Sequence, residues 1–269
     1  MEKLLRLFLS FLLFVFFSCQ SKEEKIEQAT DYGFSFYQGK PQHMNAFAYA
    51  IELDSTNAAN WRELSVTYLK RGIPSDWKKY YDKAVLYDAE EWQPWRGYLY
   101  LWFYRDYEKA IADFNASDTL TPDFIDAPQG QSVDYWRGVA YLGLEDYKNA
   151  IYYFNKNIEA ETLQAGEEWV DQKAFLFRGI SYYELEDYEQ ALINFDKVIH
   201  YSKDKTADAH YYKALTLQKI GNISAARVHA DNALKAFNEG YYNERPYVEE
   251  MRQLYIQDLM ILTDSLKEK

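Results

Sequence analysis

The chain has 269 residues, with 42 Asp and Glu against 30 Lys and Arg, a formal charge of −12. That balance excludes a nucleic-acid partner bound through a basic face, because phosphates require one. A single cysteine, Cys19, excludes an internal disulfide and a thiolate metal cluster, while 18% aromatic residues supply ample material for a core.

Lys3 and Arg6 precede an apolar run from Leu7 to Phe17 broken only by Ser10, the pattern of a secretory signal peptide over residues 1-18. The run is too short to span a bilayer, for which a helix needs about 20 residues. Ser18-Cys19 at its end resembles the lipobox of bacterial lipoproteins, although Phe16 and Phe17 stand where that family has leucine and a small residue. The resemblance implies lipidation of Cys19 and, with Glu2, Lys3 and Arg6 removed, a mature charge near −13. Within that family, Gln20 in place of an aspartate implies the outer membrane, and Lys22-Glu23-Glu24 is similar to a signal that sends some members to the cell surface. The expected location is therefore a lipid anchor on the periplasmic or cell-surface side of the outer membrane, with residues 19-27 as a lipidated tether.

Further along, a phrase recurs. Asp106-Tyr107-x-x-Ala110-x-x-x-Phe114 returns at Asp146 to Phe154 and at Asp187 to Phe195, the copies starting 40 and 41 residues apart. Trp136-Arg137-Gly138-x-x-Tyr141 and Phe177-Arg178-Gly179-x-x-Tyr182 precede the second and third copies. Two phrases per period predict two helices per unit. Trp61-x-x-Leu64-Ser65-x-x-Tyr68 matches the tetratricopeptide pattern with one small-for-small exchange, so the chain resembles tetratricopeptide repeat (TPR) proteins.

The resemblance implies an all-α, right-handed α-α superhelical solenoid of about six helix pairs over residues 24-240, with units near 24-57, 58-91, 92-124, 131-164, 172-205 and 207-240. His43 and Trp77 stand where the first two units should have a small residue. The third unit carries one extra residue between Gly97 and Asp106, and added loops fall at 125-130 and 165-171. Gly138 and Gly179 are expected to face Ala150 and Ala191 where helices cross closely. Asp146 and Asp187 are placed to cap second helices, Asp187-x-x-Gln190 in a capping-box pattern. Beyond Gly240, Pro246 and an apolar stripe of Tyr247, Met251, Leu254, Tyr255, Leu259, Leu262 and Leu266 predict a capping helix within 241-269.

Signatures of phosphate loops, nucleophile elbows and zinc proteases do not occur, and His43, His200, His210 and His229 are scattered. Asp113, Asp118, Asp123 and Asp126 lack EF-hand spacing, and Glu145-Asp146 and Glu186-Asp187 read as turn and cap residues. No catalytic residue, cofactor or metal is expected. In TPR proteins ligands lie in the groove lined by first helices. Carried over position by position, that groove consists of Arg62, Val66 and Lys70, then Arg96, Tyr100, Phe103 and Tyr104, then Tyr135, Val139 and Leu142, then Lys173, Leu176, Ile180 and Tyr183, then Tyr211, Gln218 and Lys219. Aromatic and basic anchors of this kind suit a protein or peptide partner. The expected function is a non-enzymatic scaffold binding such a partner in the cell envelope. The alternative is a glycan-binding lipoprotein similar to outer-membrane nutrient-binding proteins of the starch-utilisation type.

Overall fold

The computed structural model describes residues 20-267. The expected signal peptide and Cys19 lie outside the described residues. Within them thirteen α-helices follow one another, with no strand. Six pairs are formed by α1 (Lys22–Phe34) and α2 (Pro41–Leu53), α3 (Ala58–Lys70) and α4 (Pro74–Tyr87), α5 (Ala89–Leu99) and α6 (Tyr107–Leu120), α7 (Val133–Gly143) and α8 (Tyr147–Ala165), α9 (Gln172–Glu184) and α10 (Tyr188–Tyr201), and α11 (Ala207–Lys219) and α12 (Ile223–Asn238). A last helix, α13 (Ile256–Lys267), follows. The chain divides into two compact units between Trp92 and Gln93.

In the first unit, α1 starts earlier than a tether would allow. Ser21 accepts the Glu24 amide at 3.1 Å, and the Glu24 carboxylate accepts the Ser21 amide at 2.9 Å, so a reciprocal capping box fixes the helix start. Lys22, Glu23 and Glu24 are thereby the first turn of a helix. The core of this unit gathers Phe47, Ile51 and Leu64, with Met44, Trp61, Tyr68 and Tyr80 against them. His43 and Trp77, the bulky residues at expected small positions, are each only 1% exposed. Space for them exists because their own pairs leave it: His43 tilts against Phe47 at 4.7 Å, and Trp77 against Tyr81 at 5.6 Å.

In the second unit the recurring phrases have a shared geometry. Asp106, Asp146 and Asp187 each accept the amide three residues on at 3.2 Å, capping α6, α8 and α10. The residue before each cap, Arg105, Glu145 and Glu186, has a left-handed φ of 52°, 60° and 61°. This bend lets the Asp146 amide reach the Tyr141 carbonyl and the Asp187 amide the Tyr182 carbonyl, at 2.9 and 3.0 Å.

The glycines do not face the alanines, as expected, but the phenylalanines. A methyl group on Gly97, Gly138 or Gly179 would stand 2.7, 2.8 or 2.7 Å from the ring of Phe114, Phe154 or Phe195. The ring lies over the glycine because it is long enough to cross between the helices, whereas Ala150 and Ala191 are buried beside that contact.

The extra residue of the third unit stays inside its first helix. α5 continues into a π-helical turn, Tyr100–Tyr104, before Arg105 takes up the left-handed conformation. The Asp106 amide then reaches back six residues to Tyr100, at 3.1 Å, where its counterparts reach back five. A π turn absorbs one residue without expelling a loop, so the cap at Asp106 keeps the geometry of the other two.

The second unit also departs from expectation after Gly240. Pro246 does not open a helix. Residues 241-255 are irregular, with Tyr247 and Arg252 at φ of 72° and 55°, and only Ile256 onward is helical. Met251 and Leu254 of the expected stripe are nevertheless buried, with Leu254 joining Ala207, Ala233, Ala236 and Leu259. Leu262 and Leu266 of α13 pack with Ala214, Leu217, Ala226 and Ala230 of the last pair.

Candidate functional site

The irregular segment 241-255 leaves α12, runs across the first helices of the second unit, and returns to α13. Its ends are close, since the Gln253 side-chain amide donates to the Asn243 carbonyl at 2.8 Å. It is thus a compact surface loop. At its root the Ala207 amide donates to the Tyr241 carbonyl at 2.7 Å, and the Asn243 amide donates to Asp208 at 2.9 Å. Its far end reaches α5 and the π turn.

There Arg245 lies with its guanidinium 3.7 Å from the Trp102 ring centroid and 5.8 Å from that of Tyr98. It also donates to the Tyr98 hydroxyl. Trp136 of α7 backs this cleft, edge-on to Tyr98 at 5.1 Å and to Trp102 at 5.9 Å. A guanidinium stacked on a buried indole is a strong cation–π arrangement.

The middle and returning limb are held by charge. Arg105 donates to the Glu249 carbonyl. Glu250, fully buried, meets Lys173 of α9 at 2.5 Å and accepts the Met251 amide at 2.9 Å. Arg252 donates to the Tyr147 hydroxyl at 3.3 Å and pairs with Glu184 at 3.5 Å. Burial raises Asp208 to about 6, against the Asn243 amide that favours its charged form. Beside the root a cavity of about 260 Å³ remains, lined by Lys173, Leu176, Lys205, Asp208 and Tyr241 among others.

The residues predicted for the groove are distributed unevenly around this loop. Tyr135 and Lys173 are brought together beneath it. Tyr135 is only 2% exposed, and its burial, with the nearby charges of Asp171 and Glu250, pushes its phenol well above the usual range. Tyr183 packs against Tyr188 and Tyr212 at 6.0 and 6.3 Å. Tyr211 is edge-on to Tyr212 at 5.2 Å, and burial, with Asp258 nearby, pushes its phenol up to about 12.

In the third unit the predicted residues make other contacts. Arg96 does not present its fork to the groove but forms a bidentate pair with Asp113 of α6, at 2.7 and 2.8 Å. Tyr100 is buried edge-on to Tyr104 at 6.1 Å, and Tyr104 is raised to about 12 by burial and by Tyr100. Phe103 is half-buried in the same turn. The residues of this unit that meet the loop are Tyr98, Trp102 and Arg105.

A signal for this exists in the chain. Trp95-Arg96-Gly97-x-x-Tyr100 is a further copy of the phrase at Trp136 and Phe177, and alignment on its glycine makes Arg96 the counterpart of Arg137 and Arg178. Those arginines tie neighbouring elements: Arg137, fully buried, holds Asp118, Asp134 and the Phe114 carbonyl, and Arg178 holds Asn155 and Asn194. Tyr98 then corresponds to Val139 and Ile180, both groove positions.

Arg62 and Lys70 belong to the first unit and are joined through a polar relay. Arg62 pairs with Glu63 and lies 5.5 Å from the Trp92 ring; Gln38 donates to Glu63 at 2.8 Å and accepts from Lys70 at 2.5 Å. The acidic residues around the 125-130 loop take separate partners: Asp113 holds Arg96, Asp118 holds Arg137, and Asp126 accepts from the Thr121 hydroxyl at 2.7 Å.

No family model matches the chain, and comparison with curated proteins yields no match. Solved structures do resemble it. A tetratricopeptide repeat protein from Parabacteroides merdae superposes with a TM-score of 0.64 at 20% identity, over 93% of this chain and 87% of that one. PilW, a widely conserved type IV pilus biogenesis factor, gives 0.61 at 16% identity, over 87% and 98%. YrrB, a TPR protein with an unusual peptide-binding site, gives 0.55 at 21% identity, over 73% and 94%. The chain therefore has the tetratricopeptide-repeat fold. At these identities the likeness establishes the fold alone.

Proposed function

We propose that the chain is a lipid-anchored scaffold of the cell envelope, which holds a non-helical segment of a protein partner in the groove of its second unit and performs no chemistry itself. The observation that carries this reading is that the groove already holds a polypeptide: Arg105, Lys173 and Asp208 engage main-chain and side-chain groups of residues 241-255. Ion pairs, main-chain hydrogen bonds and a stacked guanidinium are the repertoire of peptide recognition. They favour a peptide over a glycan, for which open aromatic faces would be needed. Fold likeness to a pilus biogenesis factor and to a TPR protein with a peptide-binding site supports an envelope partner of this kind. Attachment in this reading is through Cys19, on the outer membrane; among the described residues no helix is long and apolar enough to cross a membrane.

The test has two parts. Photo-crosslinking side chains placed at Tyr183 and Tyr211 should capture a discrete envelope protein in intact Gram-negative cells, while one at the exposed Tyr152 should not. Equal capture from all three positions overturns the groove. Cys19→Ser should release the chain from the membrane fraction. A panel of soluble oligosaccharides should leave the melting temperature unmoved, because a ligand that binds only the folded state raises it.

A further inference from the structure

We propose that loop 241-255 is an exchangeable occupant of the groove, a tethered ligand that an external segment replaces, and that the cleft of Tyr98 and Trp102 is the arginine socket of that site. This rests on the reading of the groove as a peptide site and names the chemistry of its ligand. The loop shows what fits: a guanidinium in the aromatic cleft and, five residues on, a carboxylate against Lys173. A partner segment of the same chemistry has an arginine followed at that spacing by an acid.

Four observations mark the loop as a replaceable tenant rather than a fixed part of the wall. Arg245 Nε and Arg105 Nη1 are buried without a hydrogen-bond partner, so the cleft's polar contacts are incompletely made. Tyr247 and Arg252, neither a glycine, are held in the left-handed conformation. A hollow of about 480 Å³, lined by Phe237, Tyr242, Arg245 and Leu254 among others, remains against the loop. Glu250 is buried, which is tolerated only while Lys173 faces it. The first three are local penalties that connection to α12 and α13 imposes and that an untethered segment need not bear, while the fourth makes the loop's hold depend on a single pair. The loop holds its place through high effective concentration.

A fluorescent synthetic peptide of residues 241-255 tests this by anisotropy, titrated against the full chain and against an Arg245→Ala, Glu250→Gln variant that loses the loop's two anchors. The variant should bind the peptide at least tenfold more tightly than wild type, and a peptide with alanine at the position of Arg245 should lose that gain. A variant that melts cooperatively yet binds no better than wild type overturns the proposal; if groove crosslinks to an envelope protein persist, the scaffold reading survives without it. If the variant does not fold, hydrogen exchange on wild type decides. Amides of Asn243 and Met251 exchanging at least tenfold faster than those in the middle of α9 show the loop opening by itself, and equal rates overturn the proposal.

Discussion

Helix pairs of the second unit place Ala110, Ala150 and Ala191, all fully buried, early in their second helices, whereas the first unit places His43 and Trp77 there, equally buried. What the units share is the ring laid on a glycine. A methyl group on Gly33 of α1 would stand 2.8 Å from the Phe47 ring, as it would from Phe114, Phe154 and Phe195 at the glycines of the second unit. In these four pairs the lock between the helices is therefore the glycine and the aromatic ring, and the alanine is one of several fillings beside it.

The comparison can be broken at its strongest point first. Phe154→Ala and Phe47→Ala each remove a buried ring and should cost about 3–5 kcal/mol, measured by urea unfolding of each unit's spectroscopic transition. A loss below about 1 kcal/mol in either would show that the ring is not the lock. Ala191→Leu adds bulk where the second unit has no space and should cost about 1–3 kcal/mol. Trp77→Leu, at the matching place in the first unit, should show whether bulk there is required. If Ala191→Leu is tolerated without loss, the two units fill this position interchangeably.

A smaller effect should appear on acidification in the second unit's last helix pair. His210 Nδ1 lies 2.9 Å from His229 Nδ1, and His210 Nε2 lies 3.1 Å from Asp204. Burial, then Lys213 and His210, hold His229 down to about 4, against Asp196 and Asp204; burial likewise lowers His210. The unfolded chain takes up these protons near pH 6.5 and the folded chain resists, so stability is full above that pH and falls as pH drops toward about 4. Asp208, raised to about 6, acts oppositely: its folded form keeps a proton that the unfolded chain releases. A His229→Gln variant should lose less melting temperature between pH 7 and pH 5 than wild type; an identical slope would remove His229 from the account.

The smallest change is expected at the turns. Glu186 is exposed and left-handed, and Glu186→Gly should relieve that strain while adding freedom to the unfolded chain, a net gain of about 0.5 kcal/mol by thermal melting. A loss would mean that the side chain, not the bend, matters at that turn.

The sequence disclosed the parts of this fold that are written locally. The aspartate caps, the arginine-glycine phrases and the phenylalanines recur at fixed spacing, and each makes its contact within one or two helices. Spacing places residues on a helix face without saying which of two buried neighbours is long enough to cross to the opposite helix, so it does not decide the partner of each glycine. Counting its unit from residue 92 puts Arg96 at a groove position, whereas alignment on Gly97 makes it the counterpart of Arg137 and Arg178. The repeat register brings Tyr135 and Lys173 to one face but does not encode what covers them. Residues 241-255 have an apolar stripe and a proline that read as a helix start, while their real determinants lie up to 147 residues away, as in the bond from Arg245 to Tyr98. No local pattern encodes a contact of that span. The capping box at Ser21 and Glu24 is written in the sequence as well, although charged residues after a signal peptide read readily as a tether.

The π turn at Tyr100–Tyr104 has a consequence for how such an array can diversify. Because the added residue is taken up within the helix and Asp106 still begins α6 as its counterparts begin theirs, length can change at this one place while everything downstream keeps its footing. A repeat with such slack is the natural point for neighbouring units to become unlike one another. In this chain it is the unit whose aromatic residues receive Arg245.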